Sequence, residues 1–254
     1  MRAQVAINQG DLQRAVAFAR ESLAFEPLTM RTSRVAAMSV LAEVHFVQGA
    51  LPQAQKQYEE AERRAREINA SHLVVWSLGQ LSEIAIAQGH LQKAYNLQER
   101  ALQYIEQEQL PVTPIMEFIH RVRGQVLLEW HHLDAVEQCA LQGLEILDAV
   151  GDHWFLQCYV LLARVAHARG QQSVCADYIG KIQSLLAGDN YHIDWLANAH
   201  AVMLTYWDST QDKDSIQQWL STAPPLKPGA NHFAQGNARN HVRAYLALNQ
   251  GERA

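Results

Sequence analysis

With 254 residues the chain is long enough to bury a substantial core. Its net charge of −5 and the lack of a Lys/Arg stripe argue against a nucleic-acid surface in this chain, and no apolar run approaches the length of a bilayer span, so no membrane contact is expected. Three cysteines without metal-type spacing, Cys139, Cys158 and Cys175, read as reduced thiols of a cytoplasmic protein, and the opening MRAQVAINQGDL lacks the apolar stretch of a signal peptide.

A turn position recurs along the chain at Gly10, Gly49, Gly89, His131, Gly170, Gln211 and Gly251, at intervals of 39, 40, 42, 39, 41 and 40 residues. Such a fixed period marks an array of helix pairs. Two residues after the turn stand Leu12, Leu51, Leu91 and Leu133; five after it stand Ala15, Ala54, Ala94, Val136, Cys175 and Ile216; twelve after it stand Ala61 and Ala101. A glycine ends the first helix in a left-handed conformation, the leucine opens the second, and the small residue lets the two approach closely.

In chain order, the periodicity predicts first helices near 31–47, 72–88, 114–130, 153–169, 191–209 and 232–249. Second helices are predicted near 12–25, 52–69, 91–108, 133–149, 172–187 and 213–221. Second helices carry one clean apolar face, as in Ala54, Tyr58, Ala61, Ala65 and Ile68, or Leu133, Val136, Ala140, Leu144 and Leu147. First helices are apolar nearly all round, as in Leu73 to Ile86, and are expected to be the more buried layer. Breaks are expected at Pro27, Pro111 with Pro114, Gly151-Asp152, Gly188-Asp189-Asn190 and Pro224 to Gly229. A single domain is expected over 1–254. It opens in the last turns of a first helix and stops three residues after Gly251, so a piece of a longer array, cut at both ends, is expected.

The turn pattern is that of tetratricopeptide repeats, lengthened from 34 to about 40 residues. More specific segments are RAQVAIN at 2–8, WSLGQLSEI at 76–84, MEFIHRVR at 116–123, YHIDWLANA at 191–199, Tyr206-Trp207 and NHFAQGNARN at 231–240. Through them the chain resembles the superhelical sensor region of MalT-like regulators, large bacterial transcriptional activators with a C-terminal LuxR-type helix-turn-helix. The resemblance runs from Arg2 to Gly251. It implies an all-α, right-handed superhelix, a solenoid of about six and a half helix pairs. It also implies a parent protein with an N-terminal ATP-binding module, self-association promoted by maltotriose and ATP, and DNA binding through a C-terminal domain. The superhelix is the region credited with sugar binding in this family. No P-loop, GxSxG or HExxH motif stands in this chain, so no enzyme activity and no cofactor are expected here, ATP belonging to the parent.

A candidate site emerges from the rings. Nine of the twelve histidines and five of the six tryptophans fall on predicted first helices. In helix-pair solenoids these helices line the concave face. His72 with Trp76, His153-Trp154, Tyr191-His192 with Trp195, and His232-Phe233 stand near first-helix starts, and Thr113-Pro114 interrupts the row. Aromatic faces suit the C–H faces of a linear glucan such as maltotriose or a related maltodextrin, and its hydroxyls need fixed polar partners. The candidate ligand-binding set is His72, Trp76, Gln80, Glu83, Trp154, Gln157, Tyr191, Asp194, Trp195, Asn198, Asn231, His232, Gln235 and Asn240.

Plainer readings stand beside it. Trp76, Trp130 and Trp207 suit core packing; Glu83 suits an ion pair with an arginine of the next repeat; Asp194 and Asn231 suit helix starts. Of Arg121 and Arg123, on different helix faces, at most one is expected to line the face, the other pairing with a surface carboxylate. Glu117 with His120 lacks the second pair that a di-metal bundle needs, so no metal site is expected. Two further function classes remain open: a scaffold that binds a protein partner without a sugar site, and a sensor of another small molecule.

Overall fold

The structure, a computed structural model, describes residues 2–8, 11–24, 31–151, 155–188, 193–223 and 232–249. Among the described residues it is all-helical and without strands. The turn residues Gly10 and Gly251, the predicted breaks at Pro27, Asp152, Asp189-Asn190 and Pro224 to Gly229, and His153 and His192 lie outside them.

The first helices are α1 (Arg2–Asn8), α3 (Arg31–Val47), α5 (Ser71–Ala87), α7 (Pro114–Glu129), α9 (Leu156–Ala168), α11 (Ile193–Ser209) and α13 (His232–Asn249). The second helices are α2 (Leu12–Ala24), α4 (Leu51–Glu67), α6 (Leu91–Gln107), α8 (Leu133–Val150), α10 (Gln172–Gly188) and α12 (Lys213–Thr222). This is the tetratricopeptide-like helix-pair array that the period predicts. No helix among the described residues is long and apolar enough to cross a membrane.

Each turn is a structural repeat as well as a sequence one. Gly49, Gly89 and Gly170 have φ of 77°, 77° and 69°, and His131 and Gln211 take the same left-handed conformation at 59° and 60°. At α5, the Gly89 N–H donates to the Ile86 carbonyl at 2.9 Å and the His90 N–H to the Ala85 carbonyl at 2.8 Å, the paired bonds of a Schellman cap. Two second helices end in the same way without glycine, on Asn69 (φ 55°) and Gln109 (φ 49°).

Beyond the turn the helices meet at the small residue. Ala15, Ala54, Ala94 and Val136 are fully buried, and Cys175 and Ile216 almost so. At this crossing Ser82 Oγ of α5 donates to the Ala94 carbonyl of α6 at 2.9 Å, while at the equivalent crossing Cys175 Sγ of α10 reaches the Ala163 carbonyl of α9 at 3.5 Å. All three cysteines are free and buried.

The chain divides into two compact units, Met1–Phe155 and Leu156–Ala254. In the first, α3 to α7 share a core centred on Tyr58, Leu78, Ile84 and Ile119. In the second, Leu156, Ile182, Ile216 and Trp207 hold α9 to α13 together. First helices form the inner layer: eleven of the seventeen residues of α5 are buried, against four of seventeen in α6.

A side chain in the left-handed region is strained by about 1 kcal/mol relative to glycine, partly offset by glycine's greater freedom when unfolded. His131→Gly and Gln211→Gly are therefore each expected to stabilise the chain by about 0.5 kcal/mol, read as a higher urea midpoint at unchanged m-value. A lower midpoint in both would show that the turn residue does more than hold a positive φ.

Candidate functional site

In the first unit the predicted residues that the structure describes, His72, Trp76, Gln80 and Glu83, all lie on α5, the first helix of repeat three. Trp76, half-buried on α5, stands thirteen residues before its turn, and Phe118 stands at the same distance before His131 on α7. Their rings lie 5.1 Å apart at 36°. Between them α5 carries Gly79, where a Cβ would run into the Phe118 ring. The absence of a side chain there is what allows the buried Phe118 ring to pack over α5 against the half-buried Trp76 ring. Phe118 was not among the expected residues, although its distance from the turn, equal to that of Trp76, could have found it.

Arg121 lies buried beside the Phe118 ring. Its guanidinium lies 5.0 Å from the Phe118 ring centroid and 3.5 Å from carboxylate oxygens of both Glu83 on α5 and Glu117 on α7. The side chain is buried, so Glu83 makes the inter-repeat ion pair that its sequence context suggests. Arg123 points elsewhere, to Glu99 at 2.6 Å and the Tyr95 hydroxyl at 2.8 Å. Gln80 is buried on α5 and His72 is exposed at its start. Trp130 packs on Tyr95, with ring centroids 5.4 Å apart.

Tyr58 of α4 belongs to the core shared by α3 to α7, and its hydroxyl is fully buried beside the Trp76 indole. Burial first, then the Glu43 and Glu83 carboxylates, push its pKa well above the ordinary phenol value, and the Trp76 indole pulls weakly the other way.

In the second unit the expected hydroxyl ligands are engaged within the fold. The buried Gln157 amide of α9 donates to the Trp195 carbonyl of α11 at 3.3 Å, and the buried Asn240 amide of α13 donates to the Ala197 carbonyl at 2.9 Å. Both tie one first helix to the next. Trp195 and Asn198 are half-buried, and Trp207 is core. Trp219 of α12 sits between His200 and His241, at 5.6 and 5.2 Å. Trp154, Tyr191 and Asn231 lie outside the described residues, as do the side chains of Asp194, His232 and Gln235.

Two surface hollows lie apart from these residues. One of about 470 Å³ is lined by Arg2, Phe18 and Val40, and one of about 240 Å³ by Arg34, Arg64 and Glu67. Among the described residues no cluster of His, Cys, Asp and Glu could hold a metal ion.

Removing the buried Arg121 would leave the Glu83 and Glu117 charges without their shared guanidinium. Arg121→Met is expected to cost about 3 kcal/mol and Glu83→Gln about 1 kcal/mol in urea unfolding; equal, small losses would mean the cluster is solvated. Burial also holds the His200 imidazole below its ordinary pKa, and burial followed by the Arg123 charge does the same for His120. Such a group is protonated more readily when unfolded, so its effect is constant above the unfolded pKa of about 6.5 and stability falls as pH drops from there through the folded pKa. Thermal melts at about pH 7.5 and about pH 5.5 should show a smaller acid-side loss for His200→Phe than for the wild type.

The family model for the MalT-like TPR region matches residues 1–254. The HTH-type transcriptional regulator MalT of Vibrio cholerae is 39% identical over 250 residues, 98% of this chain, and that of Serratia proteamaculans is 40% identical over 256 residues, all of this chain. The chain spans 28% of the length of either relative. Among solved structures, a Rap protein complexed with competence and sporulation factor aligns with a TM-score of 0.65 at 11% identity over 98% of this chain and 73% of its own. A signal transduction ATPase with numerous domains and a tetratricopeptide repeat sensor, from Pyrococcus horikoshii, aligns with a TM-score of 0.62 at 14% identity over 97% of this chain and 40% of its own. At these identities the solved structures speak to the fold alone. The match of the family model from the first residue to the last, with relatives at this level of identity, places the chain in the MalT-like TPR region family.

Proposed function

We propose that this chain is the effector-sensing and self-association region of a MalT-like transcriptional activator of maltose and maltodextrin genes, and that its effector is maltotriose. The observation that carries the reading is the partly exposed Trp76 ring, packed on the buried Phe118, with the Glu83 carboxylate on the same helix held by Arg121. The partly exposed Trp76 ring offers apolar area to a C–H face of a glucose unit, and the partly exposed Glu83 carboxylate accepts from its hydroxyls, which would otherwise lose water without replacement. A neutral sugar needs no net positive surface, in keeping with the charge of −5. Binding changes assembly only if the ligand prefers one arrangement of the chain or of its neighbours over another. ATP binding and DNA binding, in this reading, belong to other parts of the parent protein.

A second reading, a scaffold for a protein partner or another copy, draws on α13. Val242, Tyr245 and Leu246 there are each more than half exposed, which is unusual for side chains of that size.

Tryptophan emission titrated with maltotriose, and in parallel with maltose and unrelated effectors, tests the first reading. A saturable response to maltotriose that Trp76→Phe greatly reduces is expected. No heat and no emission change with maltotriose, together with partner capture that depends on Val242 and Leu246, would favour the scaffold. A response to an unrelated effector alone would make the chain a sensor of another molecule.

A further inference from the structure

The open end of one helix pair departs from the rest of the array. Fifteen residues before the turn, first helices carry Val74, Met116, Phe155 and Leu196, but Arg34 in α3. Three residues earlier stand Ser71 and Thr113, but Arg31 at the start of α3. Fifteen residues after the turn, second helices carry Tyr104, Ile146 and Leu185, but Arg64 in α4. In repeat three these places close on each other: the Ser71 hydroxyl lies 3.2 Å from that of Tyr104, and Val74 is fully buried. In repeat two they line a hollow of about 240 Å³ instead, with Arg31, Arg34 and Val35 on one side and Arg64, Glu67 and Ile68 on the other.

Three guanidinium groups around one hollow repel one another. Arg31 and Arg34 also stand in the first turn of α3, at the positive end of its dipole, where a cation is disfavoured. The nearby carboxylates are engaged elsewhere: Glu60 pairs with Arg63 and Arg64, and Glu67 with Arg63. Arg31 and Arg34 are exposed and form no ion pair among the described residues.

We propose that the hollow of repeat two binds a phosphate-class oxyanion, free or as a phosphomonoester, held by Arg31 and Arg34 from the start of α3 and by Arg64 from the end of α4. The planar guanidinium fork matches the spacing of phosphate oxygens, and a dianion neutralises the two unpaired arginines at once. The hollow has room for one phosphate group with a few waters, and Val35 and Ile68 wall it on the apolar side. The bound anion supplies in repeat two the bridge that Ser71 and Tyr104 make in repeat three. The site lies on α3 and α4, apart from the rings of α5 and α7, and is independent of the sensor reading.

Thermal melts of the 254-residue chain test it, with inorganic phosphate or glycerol phosphate replacing chloride at matched ionic strength. About 20 mM phosphate is expected to raise the wild-type melting temperature by about 4 °C, the shift of a millimolar site under mass action. Arg34→Val, which restores the residue type of the other repeats, is expected to melt at or above the wild type in chloride and to lose the phosphate shift. Arg31→Ser, an exposed change to the residue of repeat three, should lose most of that shift as well. Arg239→Gln, on α13 of the second unit, removes the same charge and should keep it. An equal shift with glycerol phosphate assigns the site to a phosphomonoester, and a shift with inorganic phosphate alone assigns it to the free anion. General salting by phosphate acts on every variant alike, so a shift retained in Arg34→Val and Arg31→Ser overturns the site. No shift in the wild type also overturns it, as does stabilisation by an acidic peptide but not by phosphate, which would give the arginines to a protein partner.

Discussion

Two helices can lie side by side only as closely as the largest residue at their crossing permits. Here that residue is alanine at Ala15, Ala54 and Ala94, and it is fully buried each time. Close approach fixes where the turn before it must sit, and the turn in turn demands a left-handed residue. Glycine meets that demand at Gly49, Gly89 and Gly170, and His131 and Gln211 meet it under strain. At the crossing itself a polar atom can reach straight onto the opposing backbone. Ser82 does so from the first helix and Cys175 from the second, so the same junction is bonded from either side. Larger crossing residues at Val136 and Ile216 are accommodated without loss of the pattern.

The division of labour between layers follows from this packing. Second helices show one apolar stripe inward and offer the rest to water, where Glu60, Arg63, Arg64 and Glu67 of α4 form ion pairs at one-turn spacing. First helices lie between neighbours and must satisfy polar side chains inside the protein. In the second unit Gln157 and Asn240 do this by bonding the backbone of an adjacent first helix. In the first unit the Glu83 and Glu117 carboxylates instead converge on the buried Arg121 guanidinium.

Gly79 shows how the two levels join. As one more small residue on an apolar helix it draws no notice in the sequence, and its backbone conformation is ordinary. Its value lies in what is missing: Phe118 occupies the space of the absent Cβ and so comes within 5.1 Å of Trp76. The packing of two rings from two repeats thus depends on a residue that contributes no side chain. The same holds for Arg121, whose burial is tolerable only because carboxylates of α5 and α7 converge on it.

The sequence by itself determined the helix pairs, their period and their faces. The spacing of Gly, Leu and Ala is a local property, and the turn is recognisable even where His131 or Gln211 replaces glycine, because its neighbours keep their places. It did not reveal the left-handed ends at Asn69 and Gln109, since many residues can adopt that conformation under tertiary pressure and neither is glycine. Ion pairing of Glu83 was legible from an acidic residue on an apolar helix, whereas the roles of Gln157 and Asn240 were not. Their partners, Trp195 and Ala197, lie 38 and 43 residues away on another helix. Periodicity assigns a side chain to a face; which atom it meets depends on how adjacent repeats slide and rotate against each other. Only the tertiary structure decided that Trp76 meets Phe118, that Arg121 is enclosed, and that the Tyr58 hydroxyl is buried beside the Trp76 indole.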